Sequence, residues 1–482
     1  MPPCTVGLDV GTTSISAVAV DERGTLLRAV TRNHHADRPG LPTGHAEQDP
    51  QRILNAAVTA LRELMEELPA TPVCLGLTGQ MHGVVLLDAA LQPVSQLITW
   101  QDRRALAIDS ATGVSHLERL LDRCSDAALL SAGCRPSAGF LGTTLYTLRE
   151  TGSLPREANR AALIIDWLTS QFTGGELITD RSNAGSTGLF DLQGDDWSDE
   201  LLAAAHVDRA MLPRVAESGA MIGQLASDVA AATGLPTGLP VCNAIGDNQA
   251  AIVGSIPAGE EVVHINIGTG GQLSRILDDF RALAGMETRS LPLGRYMLVG
   301  AGLAGGDALA WVKRTLAVWL DRCGVGLTDA ELYRNIDAAM MAADDDAGGL
   351  ECAPFFRGTR ANPAARGTFQ GVDNDNFTPG NIGRAVLNGI AAGMEMFRDL
   401  AMNAGDWPAQ RIVATGNAVR RNPLLIQRLA SVFDLPVDLP VHREEAAYGA
   451  ALLAGSQTGL WPDLAAAGNH IQHERTATPR NP

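Results

Sequence analysis

Apolar positions open this chain in two short runs. Val6-Gly-Leu-Asp-Val10 stops at Gly11-Thr12-Thr13-Ser14, and Ile15 to Val20 resumes before Asp21-Glu-Arg-Gly24. Runs of this length, broken by small polar residues, predict strand, tight turn, strand, turn, so the chain begins with a β-meander. After Asp49-Pro50 the period changes: Ile53, Leu54, Ala57, Leu61 and Leu64 recur at helical spacing. Asp suits an N-cap and Pro the first helical position, which predicts a helix from residue 50. Pro72 to Leu77 returns as a buried strand, and strands and helices alternate to about Pro240, with residues 180–192 read as a Gly/Ser-rich loop and hairpin. Such alternation predicts an α/β fold.

The opening is echoed late in the chain. Val262 to Ile267, Gly268-Thr269-Gly270-Gly271 and Gln272 to Ile276 repeat the strand-turn-strand pattern, with Ile265-Asn-Ile-Gly-Thr269 falling over Leu8-Asp-Val-Gly-Thr12. The echo predicts two halves of similar topology. Their boundary is placed in the Gly/Pro-rich stretch 237–246, giving domains 1–242 and 243–482. Further on, Arg411 to Thr415 reads as a strand, Gly416-Asn417 as a turn, and Asn422-Pro423 as the cap of a helix reaching about Phe433. Residues 469–482 are polar and patternless, and read as a mobile tail.

Composition narrows the function classes. The 482 residues carry 37 Lys+Arg against 54 Asp+Glu, a net charge of −17, with 45% apolar residues. That is a soluble globular composition without a basic footprint, which argues against a nucleic-acid partner. Seven scattered cysteines, never spaced C-x-x-C, read as reduced residues of a cytoplasmic protein. Neither an export signal nor a membrane span is expected, because no long apolar run occurs.

Candidate chemistry lies at strand ends. Gly11-Thr12-Thr13 and Gly268-Thr269-Gly270 can bring backbone N–H groups onto phosphate oxygens with no side chain in the way. Asp9, at the end of an apolar strand, must face a cleft or hold a cation directly or through water. Asn266 stands in its place in the second unit, so one metal site is expected. No G-x-x-x-x-G-K-[ST] occurs. Gly300-Ala-Gly302-Leu-Ala-Gly305 imitates a dinucleotide fingerprint, but Asp321 falls at a helix end where the ribose-binding acid should end a strand. Asp247 starts a helix near the domain junction and is either an N-cap or a reactive carboxylate. Gln80-Met81-His82-Gly83 follows a strand, at the end where open α/β sheets bind ligands; His82 alone could equally be a core residue. Trp100-Gln101-Asp102-Arg103 offers an aromatic face, an acid and a fork of donors, suited to a sugar or to a surface ion pair.

Taken in order, and together with Glu47-Gln48-Asp49-Pro50, Phe356-Arg-Gly-Thr-Arg360 and Ala446-Ala-Tyr-Gly449, these motifs resemble the FGGY-type carbohydrate kinases of the actin and sugar-kinase superfamily. The resemblance implies two ribonuclease-H-like α/β domains around a central cleft, with ATP and Mg²⁺ on one wall and the sugar between the domains. It implies Asp247 as catalytic base and Asp9 as the Mg²⁺ residue. Nucleotide contacts are expected from Gly11, Thr12, Thr13, Gly268, Thr269, Gly270, Gly305, Gly306, Gly416 and Asn417. A small-molecule ketose is expected to meet Gln80, Met81, His82, Trp100, Asp102, Arg103, Asn183, Asp247 and Asn248. Gln-Met-His-Gly fits the ketose kinases, and the residues at 100–102, 246–250 and 416–423 are more similar to sedoheptulokinases than to xylulokinases. Thr415-Gly416-Asn417 departs from the usual Gly-Gly-Gly turn, and Arg104 stands where a small residue is usual. A homodimer is a possible assembly. Filament subunits and chaperones of the same superfamily are the contrasting class, but the chain has no added polymerising or substrate-binding segment of the kind they use.

Overall fold

The computed structural model describes residues 1–109, 112–356, 358, 365–405 and 407–479. Arg357, Thr359 and Arg360 of the Phe356 to Arg360 motif lie outside the described residues. The meander forms as expected: β1 (Pro3–Val10), β2 (Ser14–Asp21) and β3 (Leu26–Asn33) are antiparallel neighbours. Asp49 caps α1 (Pro50–Met65) by accepting from the N–H groups of Gln51 and Arg52. The chain then enters β4 (Thr71–Gly79), parallel to β1. A short helix α2 (Arg181–Gly185) precedes β5 (Met221–Gln224), β6 (Pro240–Cys242) and β7 (Ile245–Gly246), which is followed by α3 (Asp247–Ser255). The first sheet runs β5-β6-β4-β1-β2-β3, with β7 also paired to β4.

The second half repeats this plan. Its strands are β8 (Val263–Ile267), β9 (Gly270–Leu277), β10 (Glu287–Ser290), β11 (Tyr296–Ala304), β12 (Ile412–Thr415), β13 (Val437–Pro440) and β14 (His473–Ala477), and its sheet runs β14-β13-β12-β8-β9-β11-β10. Strand for strand, β1, β2, β4 and β6 correspond to β8, β9, β12 and β13, with the same parallel and antiparallel pairings. Its helices include α4 (Gly306–Arg322), α5 (Pro379–Met402), α6 (Asn417–Arg421), α7 (Pro423–Phe433) and α8 (Glu445–Thr458). The repeat read from two glycine turns is thus a duplicated α/β fold.

Alternation along β1 explains how the layers pack. Val6, Leu8 and Val10 join Ile53, Ala57, Leu61 and Leu64 of α1 in one core, while Gly7, on the opposite face, meets α8. A second core joins Val263, Ile265 and Ile267 of β8 to Ile390 and Met394 of α5. The other face of the second sheet is covered by α3, whose Ile252, with Ile256 just past its end, clusters with Met297, Val299 and Val413. Helices α3 and α8 therefore sit back to back between the sheets. They touch backbone to backbone: a Cβ on Gly449 would fall 1.9 Å from the Ala250 carbonyl oxygen, and one on Gly254 2.1 Å from that of Glu445.

Four expectations change. Strand β7, which the 242/243 division assigns to the second half, pairs with the first sheet through Ile245↔Thr78 and Gly246↔Gly79. Residues 181–185 form a helix instead of a loop, because the buried Asp180 side chain caps it by accepting from the Asn183 N–H. Gly300 and Gly302 lie inside β11, so the imitation fingerprint has no turn at all. The tail is ordered in part, since β14 pairs with β13. Among the described residues no helix is long and apolar enough to cross a membrane, and no disulfide is formed.

Candidate active site

Sheet register fixes the distance between the two key acids. Asp9 pairs with Thr78, and Thr78 with Ile245 on its other side. Asp9 and Ile245 are therefore about 10 Å apart, two strand spacings, and Asp247 follows two residues on. Asp9 shares the face of Gly7, because strand side chains alternate. Its Oδ1 is buried with no hydrogen-bond partner. Burial, then Asp247, then Glu444 hold its carboxyl well above the usual range. An orphaned carboxylate oxygen beside two more acids is the environment a cation relieves. Among the described residues no cluster of three or more His, Cys, Asp or Glu side chains is arranged to bind a metal directly. The orphaned Oδ1 fits an acceptor for the waters of a hydrated cation.

The first glycine turn is braced from behind. The Thr12 carbonyl accepts from Gln48 Nε2 at 2.7 Å and from His34 Nε2 at 2.9 Å. His34 Nδ1 accepts from the Ala36 N–H, so Nε2 carries the proton. Burial lowers the His34 pKa, which keeps the ring neutral. Trp100 Nε1 donates to Thr12 Oγ1 at 2.9 Å. The Gly11 N–H is spent on the Ser14 carbonyl, which leaves the N–H groups of Thr12 and Thr13 for a ligand.

In the second half the structure brings together every glycine assigned to the nucleotide. Gly268 donates to Gly270 O, Gly306 donates to Gly268 O at 2.8 Å, and Asp307 donates to Thr269 O at 3.1 Å. The start of α4 is thereby tied to the loop, while Thr269 and Gly270 stay exposed. Gly416, with φ of 94°, closes the group: a Cβ there would lie 2.5 Å from Ile267 O and 2.6 Å from Asn266 Oδ1. Only glycine fits that approach. Asn417 follows it, exposed, as the first residue of α6.

The residues expected to meet the sugar gather in part beside Asp247, where Met81 and α2 pack against Gly246. Gln80, Met81 and His82 are buried. Gln80 Nε2 donates to Gln48 Oε1 at 3.1 Å, and Met81 packs over Gly246. His82 stacks on Phe140 with ring centroids 4.1 Å apart, and its Nδ1 pairs with Ser186 O at 2.8 Å. Asn183 is fully buried with neither amide atom hydrogen-bonded. Asn248 departs from the expected role in part, because its Nδ2 donates to Gln272 Oε1 at 2.6 Å, joining α3 to β9 beside the second glycine loop. Asp102 departs further. Its two oxygens accept from Ala46 N and from Arg104 N, Nε and Nη2, all within 2.9 Å, which fills the acceptor capacity of a carboxylate. Asp102 therefore fixes its loop and offers no lone pair to a sugar. Arg104, the departure noted in the motif, is the reason, since it also pairs with Glu47 at 2.7 Å. Arg103 stays exposed.

Sequence reasoning missed Arg289 on β10. It is buried, paired to Glu287 at 2.5 Å, and electrostatically coupled to Asp247. No motif surrounds it; only the fold brings it near Asp247. Burial pushes the Asp247 carboxyl up to about 6, against the opposing pull of the Asn248 N–H and the Arg289 charge. At pH 7 a group with that pKa is still about 90% ionised. If Asp247 is the base it works deprotonated, and kcat/KM should then rise with pH through an acid limb near 6. Arg289→Met removes charge that favours the ionised form, and should move the limb up by about half a unit or more. A pH profile of kcat/KM checks this; an unmoved limb would dissociate Arg289 from the base.

Known proteins sharpen the picture. Residues 4–254 match the N-terminal domain of the FGGY family of carbohydrate kinases, and residues 258–458 its C-terminal domain. The chain is 31% identical over 504 aligned residues to a glycerol kinase of Bordetella pertussis, covering 99% of this chain and 93% of the relative. It is 29% identical over 408 to a xylulose kinase of Klebsiella pneumoniae, covering 82% and 79%. Its fold matches a ligand-bound xylulose kinase of Lactobacillus acidophilus with a TM-score of 0.86 at 22% identity, covering 99% and 94%. Two matched domains spanning nearly the whole chain, on a duplicated fold with paired glycine loops, make this protein a member of the FGGY family of carbohydrate kinases, a phosphotransferase acting on a sugar hydroxyl.

Proposed function

We propose that this kinase transfers the γ-phosphoryl group of ATP to a primary hydroxyl of a ketose, with sedoheptulose the preferred substrate and xylulose the next. The observation that carries the reading is the meeting of Asp247 with a buried polar wall. Asp247 lies at the start of α3, beside Met81 and next to α2, whose Asn183 amide is buried without a partner. An unpartnered buried amide is costly unless a ligand satisfies it, and a polyhydroxylated substrate supplies both donors and acceptors. When bound, MgATP supplies the phosphoryl group and neutralises developing charge. Thr12, Thr13 and the 268–270 loop are suited to orienting the phosphates, and Asp9 to the hydrated cation. Asp247 takes the hydroxyl proton on its carboxylate.

Xylulose kinases among the relatives support a ketose acceptor. The glycerol kinases make glycerol the necessary control. The preference for sedoheptulose rests on the residues at 100–102, 246–250 and 416–423. Hydroxyl contacts left unmade by a shorter sugar would cost about 10–100-fold each in kcat/KM. A panel of sedoheptulose, xylulose and glycerol with purified enzyme should rank them in that order. Xylulose or glycerol ahead by tenfold would reassign the substrate.

A further inference from the structure

We infer that Ser182 is a positioning residue for the reaction, holding the peptide that aims Asp247. This rests on the reading of Asp247 as the base. Helix α3 begins without a side-chain cap, because its N-cap is Gly246. Glycine has the greatest backbone freedom of any residue, so a base placed directly after one needs an external brace. Gly246 has one on each side. Toward the sheet it pairs with Gly79 of β4. Away from the sheet its N–H donates to Ser182 Oγ at 2.8 Å.

The Ser182 hydroxyl is itself oriented. Its proton points at Asp180, with Oδ1 at 2.8 Å and Oδ2 at 2.7 Å, which leaves its lone pairs facing the Gly246 N–H. Asp180 is fully buried and is further fixed by the Ser218 hydroxyl at 2.5 Å and the Asn183 N–H at 2.9 Å. The chain Asp180, Ser182, Gly246 thus runs from the cap of α2 to the residue before the base. The same cap places Asn183 on the sugar wall, so one buried carboxylate sets both the substrate amide and the base. A shift of the base by about 1 Å costs up to about 100-fold in rate without touching the phosphate loops.

The test is steady-state kinetics of Ser182→Ala and Ser182→Thr, with Asp247→Asn alongside and thermal melts on each. Ser182→Ala is expected to lower kcat by about 10–100-fold while the KM values for sugar and ATP stay within about twofold of wild type. Ser182→Thr, which keeps the hydroxyl, should restore most of kcat. Ser182→Cys keeps the volume and forfeits most of the hydrogen bond, and carries the same expectation if Ser182→Ala does not fold. Wild-type kcat in the hydroxyl-less variants, or a loss that Ser182→Thr does not recover, overturns the inference. Near-normal turnover of Asp247→Asn overturns instead the assignment of the base, so the two failures are distinguishable.

Discussion

Asp247→Asn is expected to lower kcat by about 10²–10⁴ while nucleotide still binds. The substitution keeps the size of the side chain and its place at the start of α3 but removes the proposed acceptor for the hydroxyl proton. In a loose phosphoryl-transfer transition state that proton leaves late, so the loss falls short of total. The loops proposed to hold the phosphates lie on other elements, at 12–13 and 268–270, and keep their backbone N–H groups. A second consequence follows from burial. The Asp247 carboxyl lies near 6 in the folded chain and at about 3.9 unfolded. A raised acid contributes stability below its unfolded value and loses it as pH climbs to its folded value. At neutral pH the ionised group is therefore a burden on the fold, and Asp247→Asn should melt higher than wild type at pH 7 and indistinguishably at pH 3.5. Turnover assays with nucleotide titration and melts at both pH values check the pair of effects. Turnover within threefold of wild type would remove Asp247 from the mechanism.

Local pattern carried the elements whose signals are local. The strand, glycine turn and strand at 6–20 and at 262–276 are short-range features, and matching them predicted the duplication that the sheets display. Asp49 and Asn422 announce their helices by cap chemistry, which acts within three residues. What escaped is long-range. Arg289 acts electrostatically on Asp247 only because β10 is added at the edge of the second sheet, and nothing in Glu287-Thr-Arg-Ser290 tells of it. His34 braces the first glycine turn from 22 residues away, and a solitary histidine carries no signal of that. Asp102 was legible as an acid in the right motif but not as one already saturated, because three of the four bonds that fill it come from Arg104, a residue the motif treats as a deviation. The Asp180 cap did have a local signal, an acid three residues ahead of Asn183, masked by the Gly and Ser residues that follow.

The interlocked helices α3 and α8 explain why acids from both halves are held close together. Each follows the last parallel strand of one sheet and covers the other sheet. Glu444, at the start of α8, thus comes to act on Asp9 of β1, although 435 positions of sequence separate them. The acid at 9 is surrounded by negative charge supplied from the opposite half of the chain, an arrangement that favours a bound cation over an empty site.

For that reason Asp9→Asn should separate stability from metal use. Burial, Asp247 and Glu444 raise the Asp9 carboxyl well above its ordinary value. Its contribution to stability is present below its unfolded pKa of about 3.9 and lost as pH rises toward the folded value. Removing the charge relieves the repulsion, so at neutral pH in EDTA the variant should melt higher than wild type. Adding MgATP should then reverse the order, because a ligand that binds only the folded state raises its melting temperature, and the carboxylate proposed to hold the hydrated cation is gone in the variant. Loss of one such contact costs about 10–100-fold in metal affinity or activity, so the Mg²⁺ concentration giving half-maximal rate should rise by that factor. A neutral amide can still accept from one water of the ion, which is why the dependence shifts and does not vanish. Rate measured against Mg²⁺ at fixed ATP and sugar, with melts in EDTA and in MgATP, reads both effects. An unchanged Mg²⁺ dependence would place the cation elsewhere, and a lower melting point in EDTA would mean that Asp9 supports the fold through contacts other than its charge.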